Sequence, residues 1–251
     1  MKKYLLFIVI VSTLLSCSQN EEKKIKSIIE TSSGSETRFI TEYDNNSNLV
    51  HWEYDYDLYG PDDEIKKYHY ENNNLMKMEH FFRNGSNTRL SMTDYYTYNE
   101  DNSINSKISK DDEDKLYWRF EYKYQNENNQ KKQIINQYDN SGKFIQERIT
   151  IFDDKEREIQ VPSEYQGTVS GAMRYEYLEN NKVKITYLTF DNEIEREEIN
   201  IIDENGYFLS GNTDNQSFEY KYDKYGNWVE KKVEGLYESG TFTEYRKIEY
   251  Y

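Results

Sequence analysis

Few side chains in this chain are placed to do chemistry. The three histidines, His51, His69 and His80, form no His-x-His or His-x-x-x-His pair that could put two imidazoles on one metal. His51 and His69 have Glu53 and Lys67 two positions away, on the same face of a strand, which is the setting of a solvated surface. The sequence has no Gly-x-Ser-x-Gly elbow, no phosphate-cradling Gly-x-x-x-x-Gly-Lys loop and no Gly-x-Gly-x-x-Gly turn. Carboxylates are too abundant for pairs of them to be informative. Asp62-Asp63-Glu64 and Asp111-Asp112-Glu113-Asp114 offer oxygen ligands but lack the EF-hand spacing, so they read as solvated loops. No catalytic residue, metal site or cofactor is expected. What remains is aromatic: Trp52, Tyr54, Trp118, Tyr122, Tyr220 and Trp228 stand in strand-spaced rows. On a rigid sheet such rings stack on sugars or anchor a protein partner, but the expected role of most of them is to pack the inner face.

The N-terminus carries an address. Lys2 and Lys3 precede an apolar run, Tyr4 to Leu15, that ends in Leu14-Leu15-Ser16-Cys17. A helix of about 12 residues spans about 18 Å, short of the roughly 30 Å hydrocarbon core, so a retained membrane span is not expected. Ser16 directly before Cys17, the single cysteine of the chain, resembles a bacterial lipobox. The resemblance implies cleavage between Ser16 and Cys17 and lipid on Cys17, the durable two-signal kind of anchor. It therefore implies a membrane partner through that lipid. The following Ser-Gln-Asn-Glu-Glu-Lys-Lys (18–24) is a tether. Its acidic pair resembles the signal that exports lipoproteins to the cell surface, so an outer-membrane address is expected, on the periplasmic face or the surface.

Composition bounds the class. The 251 residues include 26 Tyr, with 16% aromatic and only 35% hydrophobic residues, and mean hydropathy is −1.08. Disordered chains are poor in aromatics, so this is a strand composition in which tyrosine replaces much of the aliphatic core. Loss of Lys2 and Lys3 takes the net charge from −15 to −17. That charge disfavours nucleic acid and anionic lipid as partners. With one cysteine no internal disulfide can form.

A phrase recurs along the chain: an aromatic residue, Asp or Asn, turn formers, then an apolar residue and a charged strand. Tyr222-Asp223-Lys224-Tyr225-Gly226-Asn227-Trp228 is the clearest copy, and Tyr138-Asp139-Asn140-Ser141-Gly142-Lys143-Phe144 and Tyr43-Asp44-Asn45-Asn46-Ser47-Asn48-Leu49 repeat it. Copies fall about 12 to 14 residues apart, the length of a strand plus a tight turn, which joins only antiparallel neighbours. Between turns the residues alternate. Trp118, Phe120, Tyr122 and Tyr124 point one way and Arg119, Glu121 and Lys123 the other. Ile25 to Glu30 reads as a brief helical turn.

The Tyr-Asp-x-x-Gly phrase resembles the YD repeat of the RHS family. It also resembles small lipoproteins whose curved, many-stranded sheet has been called porin-like. The resemblance spans roughly residues 38–251, with the full Tyr-Asp-x-x-Gly form only at Tyr138 and Tyr222. It implies a β shell that contacts carbohydrate or protein, and no catalytic residues. The expected organisation is a signal peptide (1–16), a lipidated tether (17–37) and one all-β domain (38–251). That domain is an antiparallel meander of about 14 to 18 strands forming a strongly curved sheet or barrel-like shell, with a possible sub-sheet break near 161–171. A membrane-spanning barrel is not expected, because no set of strands offers an aliphatic lipid-facing band. The expected function is that of a non-enzymatic lipoprotein binding a glycan or protein through its sheet. The alternative is an envelope structural or assembly factor with no soluble ligand.

Overall fold

Alternation by twos makes each segment a strand, and an Asx-rich corner ends it. The computed structural model describes residues 23–33, 37–55, 63–127, 129–165, 167–203, 206–211, 217–236 and 240–251. Its strands are β1 (Ile25–Ser32), β2 (Arg38–Tyr43), β3 (Leu49–Asp55), β4 (Asp63–Glu71), β5 (Asn74–Asn84), β6 (Asn87–Tyr98), β7 (Ile104–Asp111), β8 (Leu116–Glu127) and β9 (Gln130–Asp139). They continue as β10 (Phe144–Phe152), β11 (Glu158–Tyr165), β12 (Thr168–Leu178), β13 (Lys182–Thr189), β14 (Ile194–Ile202), β15 (Phe208–Gly211), β16 (Ser217–Tyr222), β17 (Trp228–Leu236) and β18 (Gly240–Tyr250). Each strand pairs antiparallel with the next in sequence, and β18 returns to pair with β1. The meander therefore closes into an 18-stranded barrel with no free edge. Ser16, Cys17 and the rest of the expected signal peptide lie outside the described residues.

Among the described residues one turn geometry recurs eight times, starting at Asp44, Asn99, Asp111, Asp139, Asp153, Thr189, Asp203 and Asp223. At Asp139 the amide donates to the Lys143 carbonyl (3.0 Å), and the Gly142 amide donates back to the Asp139 carbonyl (3.1 Å). The Asp139 carboxylate accepts the Ser141 and Lys143 amides at 2.9 and 3.0 Å. The residue three after the starting one takes positive φ in every copy: Ser47, Asn102, Asp114, Gly142, Glu156, Asn192, Gly206 and Gly226. This is a turn closed by a left-handed residue, and the ladder slips by one at its neck. The slip sets the aromatic residue before the turn opposite the apolar residue after it, as in Tyr138 with Phe144 and Tyr222 with Trp228. The recurring phrase is the sequence of that neck.

Two expectations are corrected. Ile25 to Glu30 is not a helical turn, and residues 17–37 are not all tether: Ile25–Ser32 is β1. Isoleucines at 25, 28 and 29 mimic a helical stripe, but Ile28 is buried between Thr41 of β2 and Ile248 of β18, and ring closure decides the conformation. The barrel therefore begins at residue 25, before 38. Within 161–171 the ring is continuous but thin. β11 pairs with β12 from Gln160 to Tyr165, whereas its ladder to β10 keeps only Ile151 with Gln160 and Phe152 with Glu158. Pro162 has no N–H to donate. Side chains span the gap: Arg148 pairs with Glu164, and Gln146 donates to the Gly167 carbonyl (2.7 Å) and accepts from the Val169 amide (2.8 Å). Gly171 is needed at the start of β12, because a Cβ there would lie 1.9 Å from the Leu188 carbonyl oxygen.

Register propagates one set of alternate positions round the whole ring. Arg246 faces Glu30, Glu30 faces Phe39, Phe39 faces Tyr54 and Tyr54 faces Glu64. This set carries most of the rings and is the more covered. On β14 Glu198 and Asn200 are buried while Glu197, Ile199 and Ile201 are exposed. On β12 Tyr175 and Tyr177 are half-buried between exposed Arg174, Glu176 and Leu178. Crowding of that kind belongs to the concave side of a curved sheet, so the ring-bearing set lines the interior. The outer face carries cross-strand ion pairs, Lys184 with Glu197 and Lys221 with Glu230, both at 2.8 Å. Among the described residues both faces carry charges at mid-strand, as Lys184 and Glu197 outside and Lys107 and Glu198 inside. Buried aliphatics such as Ile28, Ile134, Val161, Val183 and Val233 are spread round the wall rather than gathered at one centre, as suits a ring too wide for side chains to fill.

Candidate functional site

All six ring residues singled out from the sequence lie on the inner face, and the structure sorts them into two groups. Four come together across the closing seam. Trp228, at the start of β17, is 4% exposed and carries the Arg246 guanidinium 3.6 Å above its ring. Arg246 donates through Nε to Glu30 at 2.7 Å. Beyond Glu30, Phe39 stacks on Tyr54 at 4.2 Å and 14°, Trp52 lies 6.4 Å from Tyr54, and the Lys66 ammonium sits 4.4 Å over Trp52. On the other side of Trp228, Tyr220 lies 6.2 Å away, with Tyr222 and Tyr207 at 6.1 and 5.4 Å from Tyr220. Burial pushes the Tyr220 hydroxyl well up, and Asp203 and Glu244 add to it. The result is a track of rings and paired charges running from β16 to β4.

Trp118 and Tyr122 stand apart on β8. Trp118 meets Tyr117 edge-on at 5.0 Å. Burial pushes Tyr122 up to about 12, with Tyr124 and Asp94 adding to it. Tyr68 on β4 and Tyr96 on β6 are raised by burial in the same way. Beside them Asp94 is 1% exposed. Lys107 lies 3.2 Å from one of its oxygens and His80 3.7 Å from the same oxygen. Burial works to raise the Asp94 carboxyl, but His80, Lys107 and Ser109 together outweigh it and hold the group below its ordinary value. Lys107 also covers Phe120 at 4.3 Å. His80 Nε2 and Asp94 Oδ1 have no hydrogen-bond partner among the described residues. The sequence does not announce this buried group, because His80, Asp94, Lys107 and Ser109 meet only once three strands are in register.

Ion pairs lie on the inner face. Arg246 pairs with Glu30, Lys231 with Glu244 at 2.9 Å, Lys107 with Asp94, and Arg196 with Glu198 at 2.9 Å. The acidity of the chain is carried outside and at the turns. His51 and His69 fall on the outer face, 3.1 and 2.7 Å from Glu53 and Glu79. The Asp111 loop is an internally bonded turn: the Asp111 carboxylate accepts the Glu113 and Lys115 amides, and Lys110 pairs with Asp114 at 2.9 Å. Asp62 lies outside the described residues; its neighbour Asp63 is paired with Arg83. Among the described residues no three His, Cys, Asp or Glu side chains gather as metal ligands. What the wall offers chemically is apolar faces for stacking, interleaved with donors and acceptors of both signs.

No family model and no curated protein matches the sequence. Among solved structures the chain is similar to a porin-like protein from Bacteroides uniformis ATCC 8492, with 9% identity over 90% of this chain and 98% of that one and a TM-score of 0.40. It is similar to a porin-like protein from Bacteroides vulgatus ATCC 8482, with 13% identity over 91% and 99% and a TM-score of 0.31. It is also similar to a DUF3836 family protein from Parabacteroides distasonis ATCC 8503, with 16% identity over 38% and 94% and a TM-score of 0.30.

Proposed function

We propose that this chain is a non-enzymatic envelope lipoprotein, anchored in the outer membrane through Cys17, whose barrel holds a neutral glycan against its aromatic inner wall. The observation that carries the reading is the seam track: Trp52, Tyr54 and Phe39 beside Lys66, Glu30 and Arg246, where stacking faces and hydrogen-bonding groups alternate. Sugars present apolar ring faces edged by hydroxyls, and that alternation matches them. The pairing of Arg246 with Glu30 at the centre of the track favours an uncharged ligand over an anionic one. The likeness to the YD repeat is kept as a likeness of the turn phrase.

Titration calorimetry of the full chain with neutral oligosaccharides chosen from a glycan array tests the reading. Trp52→Ala and Tyr54→Ala should each weaken binding by about tenfold or more. An array blank at high protein concentration refutes it. The address has its own test: Cys17→Ala should lose lipid labelling and membrane fractionation, and unchanged behaviour removes the anchor.

One observation favours a second reading, an envelope assembly or structural factor with no soluble ligand. Several inner polar groups are already satisfied by each other, including Arg246 with Glu30 and the Tyr222 and Tyr250 hydroxyls with turn carboxylates. A deletion strain with a weakened envelope, together with a blank array, would favour it.

A further inference from the structure

The two ends of the barrel differ. At one end Lys24 and Tyr251 meet, the Tyr251 amide donating to the Lys24 carbonyl at 3.0 Å. At the other end odd-numbered strands turn into even-numbered ones, and there large apolar side chains stand in solvent. Phe190 is 74% exposed, Ile194 65%, Tyr117 52% and Phe144 51%, with Leu116 and Ile145 also exposed. All six lie within two residues of the turns β7–β8, β9–β10 and β13–β14, on one arc of the rim. Exposed apolar clusters edged by polar residues mark interaction sites. At the β9–β10 turn the exposed charge beside Phe144 is Lys143; at the other two turns Asp112, and Asp191, Glu193 and Glu195, are exposed and have no ion-pair partner among the described residues. Their charge argues against a second copy of the same acidic rim and against an anionic bilayer, and selects a partner of opposite sign.

We infer that this arc is a docking surface for a basic, apolar polypeptide segment, one presenting Lys or Arg among aliphatic side chains. The rim lies at the opposite end of the barrel from Lys24 and Tyr251. Leu, Ile and Phe supply contact area, and the four acids set orientation and association rate.

The test measures fluorescence anisotropy of the full chain with three short labelled peptides, of Lys and Leu, of Glu and Leu, and of Lys and Ser. The Lys/Leu peptide should bind, and more weakly as salt rises. Both Phe190→Ser/Ile194→Ser and Tyr117→Ser/Phe144→Ser should weaken it by about tenfold or more. Tyr245→Ser, an exposed ring on the outer face of β18, should leave it within about twofold. The two double variants sit on different turns, so failure of one to fold, seen by circular dichroism, leaves the other to decide. No binding of the Lys/Leu peptide, equal binding of either control peptide, or unchanged affinity in a folded rim variant overturns the inference. Capture of neutral phosphatidylcholine vesicles through the same residues overturns it in favour of a membrane contact.

Discussion

The Tyr98 hydroxyl donates to the Leu75 carbonyl oxygen at 2.8 Å, fastening the end of β6 to the corner between β4 and β5, one hairpin back. The relation recurs round the ring. Tyr177 reaches the Glu158 carbonyl at 3.2 Å, Tyr222 the Asp203 carboxylate and Tyr250 the Asp223 carboxylate. Each tyrosine ends an even-numbered strand on the inner face and latches the preceding corner. At these four places the hydroxyl, which phenylalanine lacks, makes the latch. Tyr98→Phe and Tyr177→Phe should each cost about 0.5–1.5 kcal/mol in urea unfolding. Sites so far apart should give nearly additive losses in the double variant.

The corner residue with positive φ makes an opposed pair of predictions. Glu156 (φ 58°) and Gly226 (φ 85°) hold the same place in two copies of one turn. A side chain there costs about 1–2 kcal/mol of strain, which glycine avoids. Glu156→Gly should therefore stabilise the barrel by up to about 1 kcal/mol, and Gly226→Ala should destabilise it by about as much. Equal denaturation midpoints for wild type and both variants would show that these corners do not share one geometry.

Asp94 and Lys107 form a buried pair whose loss should be asymmetric. Asp94→Asn or Lys107→Met leaves one charge without its partner at a site where Asp94 is 1% exposed. Each should cost about 3–5 kcal/mol, and Asp94→Leu combined with Lys107→Met should recover much of it. The sign of the pH dependence follows from the lowered Asp94 value. The stabilisation is present above the ordinary aspartate range near 3.9 and is lost as pH falls. Acid titration of the Lys107→Met variant should show a shallower loss than wild type.

Local features were legible because they depend on neighbours. Alternation put Trp118, Phe120, Tyr122 and Tyr124 on one face, and it is the inner one. The Asx corners at Asp44, Asp139 and Asp223 were readable because Asp bonds its own backbone. Closure was not. Glu30 and Arg246 are 216 positions apart, and no short-range pattern announces that pairing. The same blindness hid β1, whose isoleucine spacing suits a helix until β2 and β18 flank it. Glu156 was invisible as a corner because nothing in glutamate itself suggests positive φ. The seam track needed both closure and register, so Trp228 and Tyr54 could be proposed as rings but not as neighbours of one ion pair.

Tyrosine ionisation gives the last prediction. Burial pushes Tyr68, Tyr122, Tyr175 and Tyr250 up to about 12, and Asp223 adds to the rise at Tyr250. Burial raises Tyr96 and Tyr220 as well. In the unfolded chain these phenols ionise near 10. Between about pH 10 and 12 the unfolded state therefore binds fewer protons than the barrel, and stability falls as pH rises. Below about pH 10 the full contribution is present. Tyrosinate absorbance should show a group of late-titrating phenols in the folded protein that titrate normally in urea. Tyr122→Phe and Tyr175→Phe should each remove one late phenol and flatten the alkaline loss of stability. A single ordinary titration of all tyrosines in the folded chain would mean that these rings are not enclosed by the wall.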